Sequence, residues 1–461
     1  MPSFDTRVPA VLVRLDRNPF HHGTLGAVRS LGRAGIEVHA VIEATRSPVG
    51  RSRYLRGAHL RPGPGTDLSD VQRLLLGISD RLATPAVLIA MDDLSAITVG
   101  RLQQRLAGRY LLPEQPSGLP ERVADKAELV AICGALGIPH PRTVIPGGAE
   151  EAAAAARSLG LPVVAKWSRP WLLPEGAGLR STLVVRSPQE ARELYGRSAE
   201  AGSRLLLQEF LPPGRDLDWF FHGYSGSGGE CLVGAAGRKE RSWPVGAGLT
   251  AVGRWLPNPA VERTARQLVS ALGYRGILDL DFRLDSATGA YHLLDFNPRP
   301  GAQFRLFTDR SGTDVVRALH LDLTGRTVPA PDAAHGRTFV VENYALLSFL
   351  STLSSFRCRG GGAGRDIGAV PADGVRARSG EAAWFALDDP LPAYAMAVAW
   401  IPHAAHRGWR RLRHALPAPR TAEPGRSRAS PVRRRWGGLD RAAMLPPYRA
   451  DSVDPSIPST P

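Results

Sequence analysis

The sequence predicts an α/β protein in two successive parts, a parallel-sheet domain followed by an α+β domain. Apolar strands and amphipathic helices alternate through residues 8–91, which is the pattern of a parallel sheet with helices on its faces. A Pro-rich stretch, residues 112–120, then marks a linker. Beyond it, short strands and helices lead to an alternating hairpin at residues 276–299, which indicates antiparallel pairing.

The composition is that of a globular protein. A chain of 461 residues with 43% hydrophobic residues is long enough for about two to four domains. It has no apolar run of roughly 18 residues, so we expect no membrane span, and its start does not have the pattern of a signal peptide. Three scattered cysteines predict neither a disulfide framework nor a zinc site. A cytoplasmic enzyme is therefore the expectation.

The net charge of +15 is concentrated near the end of the chain. Residues 403–461 contain twelve arginines and four acidic residues, which is more than half of the excess. Such a tail is more often a solvated extension than a specific nucleic-acid site, and we expect residues 417–461 to be disordered. A short basic segment before it, residues 409–416, is expected to pack on the protein rather than on an anionic membrane surface.

The elements of the first domain follow directly from apolar runs and helical spacing. They are a strand at 8–15, a helix at Thr24–Ala34, a strand at Ile36–Ile42 and a strand at Val87–Met91 that runs into Asp92 and Asp93. The turn after the first strand lacks the Gly-rich dinucleotide fingerprint. His21 and His22 stand there instead, and we expect them to be solvated rather than to bind a ligand.

Lysine is rare in this chain. Only Lys126, Lys166 and Lys239 occur among 58 basic residues, and all three precede the hairpin. A lysine retained where arginine is otherwise used indicates a site that needs a compact ammonium group, although three incidental surface lysines are the alternative.

Two of the lysines stand at positions suited to phosphate. Lys126 lies in the first turn of a helix that Asp125 caps, where a cation is disfavoured by the helix dipole unless an anion binds nearby. Lys166 closes the apolar strand Leu161–Lys166, either as an edge residue or as a phosphate ligand. Lys239 falls in a basic stretch, Gly237–Gly253, that we expect to be a mobile loop.

The hairpin carries the clearest chemical signal. Apolar and acidic residues alternate with a period of two, so one face of the hairpin is acidic. A turn at residues 285–290 places Asp281 nearly opposite Asp295, with Asn297 on the same face. Such an oxygen-only set suits Mg²⁺, whereas a solvated acidic face is the alternative. Arg299, between two prolines, is a candidate clamp for phosphate or an oxyanion.

These features, in this order, resemble the ATP-grasp superfamily, and in particular carbamoyl-phosphate-synthase-like carboxylate–amine ligases such as D-aspartate ligases. The motifs DLDF, LLDFNPR, DKAELVAICGALGIPHP, VVAK and LLLQEFLPPGRD carry the resemblance. It implies a Rossmann-like pre-ATP-grasp domain at 1–115 and a two-lobed ATP-grasp α+β domain at 116–330. A C-terminal extension at 331–416 and the basic tail would complete the chain.

The resemblance also implies roles for individual residues. Lys126 and Lys166 would bind ATP phosphates, and Asp281, Asp295 and Asn297 would bind Mg²⁺ or Mn²⁺. The segment Gln208, Glu209, Phe210 and Leu211 would be the hinge that faces the adenine, with Asp216, or less favourably Asp218, on the ribose. Arg299 would steady phosphate and the reaction intermediate, and Lys239 matches a basic loop near the acceptor more loosely.

Two departures from the family pattern bear on these roles. Relatives often have glutamates at the two metal positions, where this chain has aspartates. The loop after Lys166 holds only Gly176 and Gly178 where a denser glycine run usually covers the phosphates.

The function implied is ATP-dependent ligation of a small-molecule carboxylate to an amine, on amino acids or small peptides, through an acyl phosphate. A carboxylase-like enzyme and a non-catalytic ATP-binding protein are the alternatives. The sequence names neither substrate, and a homodimer stays open.

Overall fold

The computed structural model describes residues 2–16, 18–63, 67–174, 177–244, 248–357 and 380–401, with the side chains of 352–357 excepted. Residues 1–396 form one compact unit. Of the second unit, residues 397–461, only the helical residues 397–401 are described. The predicted basic tail and the segment at 409–416 lie outside the described residues. In the described part, no helix is long and apolar enough to cross a membrane.

The N-terminal region is a five-stranded parallel sheet in the order β3-β2-β1-β4-β5. Its strands are β1 (Ala10–Val13), β2 (Val38–Ile42), β3 (Gly57–Leu60), β4 (Ala86–Ala90) and β5 (Tyr110–Leu111). Its helices are α1 (His22–Arg33), α2 (Leu68–Ser79) and α3 (Asp93–Leu106). All residues of β1 are buried, as expected for a strand covered on both faces. The predicted Rossmann-like architecture is confirmed.

Next in the chain come two helices, followed by a four-stranded antiparallel sheet with three further helices. The strand order of this sheet is β6-β9-β7-β8. The helices are α4 (Leu119–Ala124) and α5 (Lys126–Leu136), followed by α6 (Ala149–Leu159), α7 (Pro188–Tyr195) and α8 (Ser198–Ala201). The strands are β6 (Thr143–Val144), β7 (Val163–Trp167), β8 (Thr182–Val185) and β9 (Leu205–Glu209). Alanines of α6 pack with Trp167, Leu205 and Leu207 in a separate apolar core.

The third sheet has seven strands in the order β14-β13-β10-β11-β12-β15-β16. They are β10 (Asp218–Ser225), β11 (Cys231–Trp243), β12 (Leu249–Trp255), β13 (Gly276–Leu284), β14 (Tyr291–Asn297), β15 (Thr338–Val340) and β16 (Gly380–Ala382). The remaining helices are α9 (Pro259–Leu272), α10 (Val315–Leu323), α11 (Glu342–Arg357) and α12 (391–401). The two sheets after the linker confirm the predicted two-lobed α+β arrangement.

One face of the seven-stranded sheet carries an extensive apolar core. Leu278, Leu280 and Phe282 of β13 are at most 1% exposed and pack against helices α4, α5 and α9. The apolar side chains of β13 therefore point into this core. The acidic side chains that alternate with them point to the opposite face of the sheet.

The prediction that Gly237–Gly253 is a mobile loop is wrong for most of this segment. β11 continues to Trp243 and pairs with β12 from Gly237 onward, so Lys239 lies on a strand of the sheet. Residues 245–247, between these strands, are outside the described part.

Candidate active site

The hairpin places Asp281 opposite Asp295, close to the register that the sequence predicts, through a register shift between Asp281 and Phe282. Asp281 pairs with Asp295, and Asp279 pairs with Asn297, across β13 and β14. The turn is closed by Asp285, whose carboxylate accepts hydrogen bonds from the Ala287 N–H at 3.0 Å and the Thr288 hydroxyl at 2.6 Å. Two carboxylates are thus held opposite each other, and their repulsion must be offset by cations.

Two lysines from different parts of the fold converge on Asp295. The Nζ atoms of Lys126 and Lys166 lie 2.7 Å and 3.3 Å from the same oxygen, Asp295 Oδ1. Lys166 also donates to the Leu294 carbonyl at 3.0 Å. Lys126 comes from α5, which packs on the seven-stranded sheet, and Lys166 from β7 of the four-stranded sheet. The contact therefore joins the two lobes.

The local structure explains why the two lysines meet. Asp125 caps α5 by accepting from the N–H groups of Ala127 and Glu128, as the sequence predicts. The same carboxylate accepts hydrogen bonds from the Ser168 hydroxyl and, at 2.7 Å, from Arg169 Nε. The Lys126 N–H donates to the Ser168 carbonyl at 2.9 Å. The start of α5 is thus fixed to the residues that follow β7.

Lys239 supplies the third ammonium group of the site. Its Nζ lies 2.8 Å from Asp281 Oδ1, and its side chain is 17% exposed. Each of the two opposed aspartates therefore has a lysine partner. The three lysines that the sequence singles out meet at one hairpin.

The charges of this cluster support one another. Burial opposes ionisation of Asp295, but the charges of Lys126 and Lys166 outweigh it and lower the pKa of Asp295 to about 2. Burial also disfavours the charged form of Lys126, but the negative charge of Asp295 outweighs this effect and raises the pKa of Lys126. Lys166 has a lowered pKa because burial and the neighbouring Lys126 prevail over Asp295.

Arg299 is held between carboxylates from two domains. Its Nη1 donates to Asp279 Oδ2 at 2.7 Å, and its Nε lies 3.3 Å from Asp93 Oδ1 at the start of α3. Although burial disfavours the charge, Asp93 and Asp279 raise the pKa of Arg299. The Nε2 atom of buried His222 lies 3.0 Å from the other Asp279 oxygen.

Sequence reasoning missed Asp93, Asp279 and His222 as site residues. Asp279 had a usable signal, since it shares the acidic face of β13 with Asp281. His222 pairs with Asp279 in the sheet register, which requires knowing that β10 neighbours β13. Asp93 reaches Arg299 only through packing of the N-terminal domain.

The histidine pair behaves differently from the expectation of solvated side chains. His22 is only 6% exposed. The centroid of its ring lies 6.1 Å from the ring centroids of both Phe339 and Trp384. His21 caps α1, with Nδ1 accepting from the Thr24 N–H. Burial lowers the pKa of His21 to about 4 and that of His22 to about 3, so both are neutral at pH 7. Neither histidine therefore adds positive charge at that pH.

The predicted hinge lies at the end of β9. The Gln208 side chain donates to Thr143 Oγ1 at 3.0 Å, and the Glu209 carboxylate accepts from the Arg142 N–H and Nε at 2.9 and 2.7 Å. Both side chains are therefore engaged by the β6 edge. Phe210 and Leu211 follow as irregular backbone.

Two aspartates follow the hinge. Asp216 lies in a turn with φ 66° and is 3.0 Å from Arg238 Nη1, with its side chain 44% exposed. Asp218 is 2.7 Å from Arg283 Nε and is 17% exposed. Asp216 is thus the more accessible of the two carboxylates.

The donors on the hairpin fit a hard divalent cation. Asp281 and Asp295 face each other, and the Asn297 Nδ2 points to Asp279, which leaves its amide oxygen for another contact. Among the described residues there is no group of three or more His, Cys, Asp and Glu side chains arranged to hold a metal. Two carboxylates and an amide would need further oxygens from phosphate or water, which is how Mg²⁺ is commonly bound.

No family model matches the chain. No curated protein matches it either. Among solved structures, N5-carboxyaminoimidazole ribonucleotide synthetase in complex with ADP has a TM-score of 0.53 at 14% identity, covering 73% of this chain and 80% of that one.

Two other solved structures are similar to the same extent. The biotin carboxylase domain dimer of Hydrogenobacter thermophilus 2-oxoglutarate carboxylase, in complex with MgADP, ADP and bicarbonate, has a TM-score of 0.54 at 16% identity, over 71% of this chain and 73% of that one. The L-amino acid ligase from Bacillus licheniformis has a TM-score of 0.52 at 14% identity, over 68% and 74%. The chain therefore has the ATP-grasp fold, as the sequence predicts.

Gly301 is required by the close approach of the loop after β14. A Cβ there would overlap the His222 ring and the Asp279 carboxyl carbon. Gly301→Ala should therefore lower the free energy of unfolding by about 1–3 kcal/mol, as overpacking does. Gly134→Ala is the matched control, because a Cβ at that position in α5 meets nothing within 4 Å. Urea unfolding compares the two, and an unchanged midpoint for Gly301→Ala would contradict the packing.

The low pKa of Asp295 depends on its lysines. Lys126→Met should raise it from about 2 toward its ordinary value of 3.8, measured by carbon-13 NMR titration of the labelled carboxyl. A lowered pKa in the folded state adds stability above pH about 3.8 that is lost as the pH falls through about 2. Acidification from pH 5 to 2 should consequently destabilise the wild type more than the variant. A pKa unaffected by the substitution would mean that the pair is not formed in solution.

Proposed function

We propose that this chain, which has the ATP-grasp fold, is an ATP- and Mg²⁺-dependent ligase that joins a small-molecule carboxylate to an amine. The carboxylate would be activated as an acyl phosphate, which the amine then attacks. The observation that carries the proposal is the convergence of Lys126 and Lys166, from the two lobes, on Asp295 of an oxygen-only donor set. Phosphoryl transfer requires cations that hold phosphate oxygens close to carboxylates that hold the metal ion.

The base and ribose of ATP would lie at the hinge. Because the side chains of Gln208 and Glu209 are bonded to the β6 edge, we assign the adenine contacts to the backbone of Phe210 and Leu211. Asp216, more exposed than Asp218, would bind the ribose hydroxyls. This places the triphosphate between the two lobes, toward the lysines.

Each charged side chain then has a role in phosphoryl transfer. Lys126 and Lys166 would hold phosphate oxygens, and Lys239 would add positive charge where the phosphoryl group moves. Asp281, Asp295 and Asn297 would hold Mg²⁺, which neutralises the charge of the phosphates when bound. Arg299, already oriented by Asp93 and Asp279, would stabilise the oxyanion formed when the amine attacks.

The substrates of the similar structures do not separate a ligase from a carboxylase, since both kinds of enzyme share this fold. Bicarbonate therefore belongs among the carboxylates to be tested. A non-catalytic ATP-binding role is disfavoured because the lysine, aspartate and arginine side chains of the site are all present and in contact.

The test is Mg²⁺-dependent release of ADP and phosphate across a matrix of D- and L-amino acids, dicarboxylates, bicarbonate and amines. Lys166→Ala removes a charge-assisted contact worth about 1.5–3 kcal/mol, so turnover or ATP affinity should fall about ten- to a hundredfold. Asp295→Asn should also abolish most of the activity. Arg310→Ala is the control, because the Arg310 side chain forms an exposed pair with Asp332, away from the lysines and the hairpin aspartates.

Release that needs both a carboxylate and an amine, and that falls in both site variants but not in the control, would establish the ligase. Release with bicarbonate as the acid would instead favour the carboxylase-like alternative. ATP binding with no turnover under any combination would favour the non-catalytic alternative.

A further inference from the structure

The lysine contacts of the hairpin have a consequence for how the site takes its ligands. Every metal-donor carboxylate of the hairpin is already paired: Asp281 with Lys239, and Asp295 with Lys126 and Lys166. The three lysine side chains are 9–17% exposed, so they are largely removed from water. All three contacts are to Oδ1 atoms, so a divalent cation that binds both oxygens of either aspartate must displace a buried ammonium group, and one that binds only Oδ2 lies beside that group.

Displacement by a metal ion alone is unfavourable for two reasons. A buried ammonium group that loses its carboxylate gains no anion from the metal ion, so it becomes an unpaired buried charge, which is destabilising. It would also lie beside a divalent cation of the same sign. Asp279 does not serve as a replacement partner for the lysines, since it already pairs with Arg299.

A nucleotide triphosphate removes both obstacles. Its phosphate oxygens give the lysines new anionic partners, and the aspartates are then free to bind the metal. We propose that Lys126, Lys166 and Lys239 act as a charge lock that makes the hairpin select a nucleotide–metal combination over the free metal ion. This inference rests on the proposed function, because it takes Asp281, Asp295 and Asn297 as the metal donors.

The geometry ranks the three lysines. Lys126 makes the shorter contact to Asp295, at 2.7 Å, whereas Lys166 lies at 3.3 Å and is also bonded to the Leu294 carbonyl. Lys239 alone contacts Asp281, at 2.8 Å. Lys126 and Lys239 therefore contribute most to the lock. Replacing both removes the 2.7 Å contact to Asp295 and the 2.8 Å contact to Asp281, and leaves only the longer contact of Lys166 with Asp295.

The test measures Mn²⁺ binding by electron paramagnetic resonance with the full chain, without nucleotide. We expect weak binding to the wild type and at least tenfold tighter binding to Lys126→Met/Lys239→Met, which is about 1.4 kcal/mol. The expected change is a gain of affinity, and its dependence on Asp295 separates it from binding to other carboxylates that misfolding would expose. Adding Asp295→Asn to the double variant should abolish the gain, and Arg310→Met, which removes an exposed cation, should bind Mn²⁺ as the wild type does.

A second arm uses ATP in excess chelator, without metal. The wild type should bind it, and the double variant should bind it at least tenfold more weakly, because the phosphates lose two cations. Opposite changes in metal and nucleotide affinity are the signature of the lock.

The outcomes separate the lock from the function. If the wild type binds Mn²⁺ alone as tightly as the double variant does, the lock is overturned and the ligase proposal stands. If neither protein binds Mn²⁺ even with a non-hydrolysable ATP analogue present, the hairpin is not a metal site, and the lock fails together with the metal-dependent function.

Discussion

Two aspartates that face each other across a pair of strands impose the constraint on which the site depends. The period-two pattern of β13 and the register of the hairpin place Asp281 opposite Asp295, and the apolar alternate positions fix that register in the core. Like charges in this position require compensation. The fold supplies it from three elements, α5, β7 and β11, each of which contributes one lysine. The position of each element is thereby tied to the site.

The N-terminal sheet takes part through a second charge contact. Asp93 lies at the start of α3 and contacts Arg299, which Asp279 holds from the other side. A Cβ at Gly23 in α1 would lie 2.8 Å from the Ala302 Cα, so this helix packs directly on the loop that carries Arg299. The arginine is therefore oriented before any ligand arrives, which is the condition for strong electrostatic stabilisation of a developing charge.

The features that could be predicted from the sequence were those set by local signals, such as caps and turns, or by a periodic pattern of apolar residues. The approximate register of the hairpin followed from alternation and turn chemistry, whereas the register shift after Asp281 did not. The position of Lys126 followed from the Asp125 cap. The extension of β11 beyond Gly237 was missed because its residues there are half-buried on both faces, so they show no alternation. The contacts of Arg299 with Asp93, and of His22 with Trp384, join segments far apart in the chain and leave no local pattern. Propensity and period carry no information about such packing.

The most direct measurement of the central claim follows oxygen from substrate to phosphate. Once the matrix has identified a carboxylate, it would be labelled with oxygen-18 and turned over with ATP and Mg²⁺, and the released phosphate would be examined by phosphorus-31 NMR. Activation as an acyl phosphate predicts one labelled oxygen in the phosphate, with ADP as the nucleotide product. Unlabelled phosphate, or AMP with pyrophosphate, would contradict it.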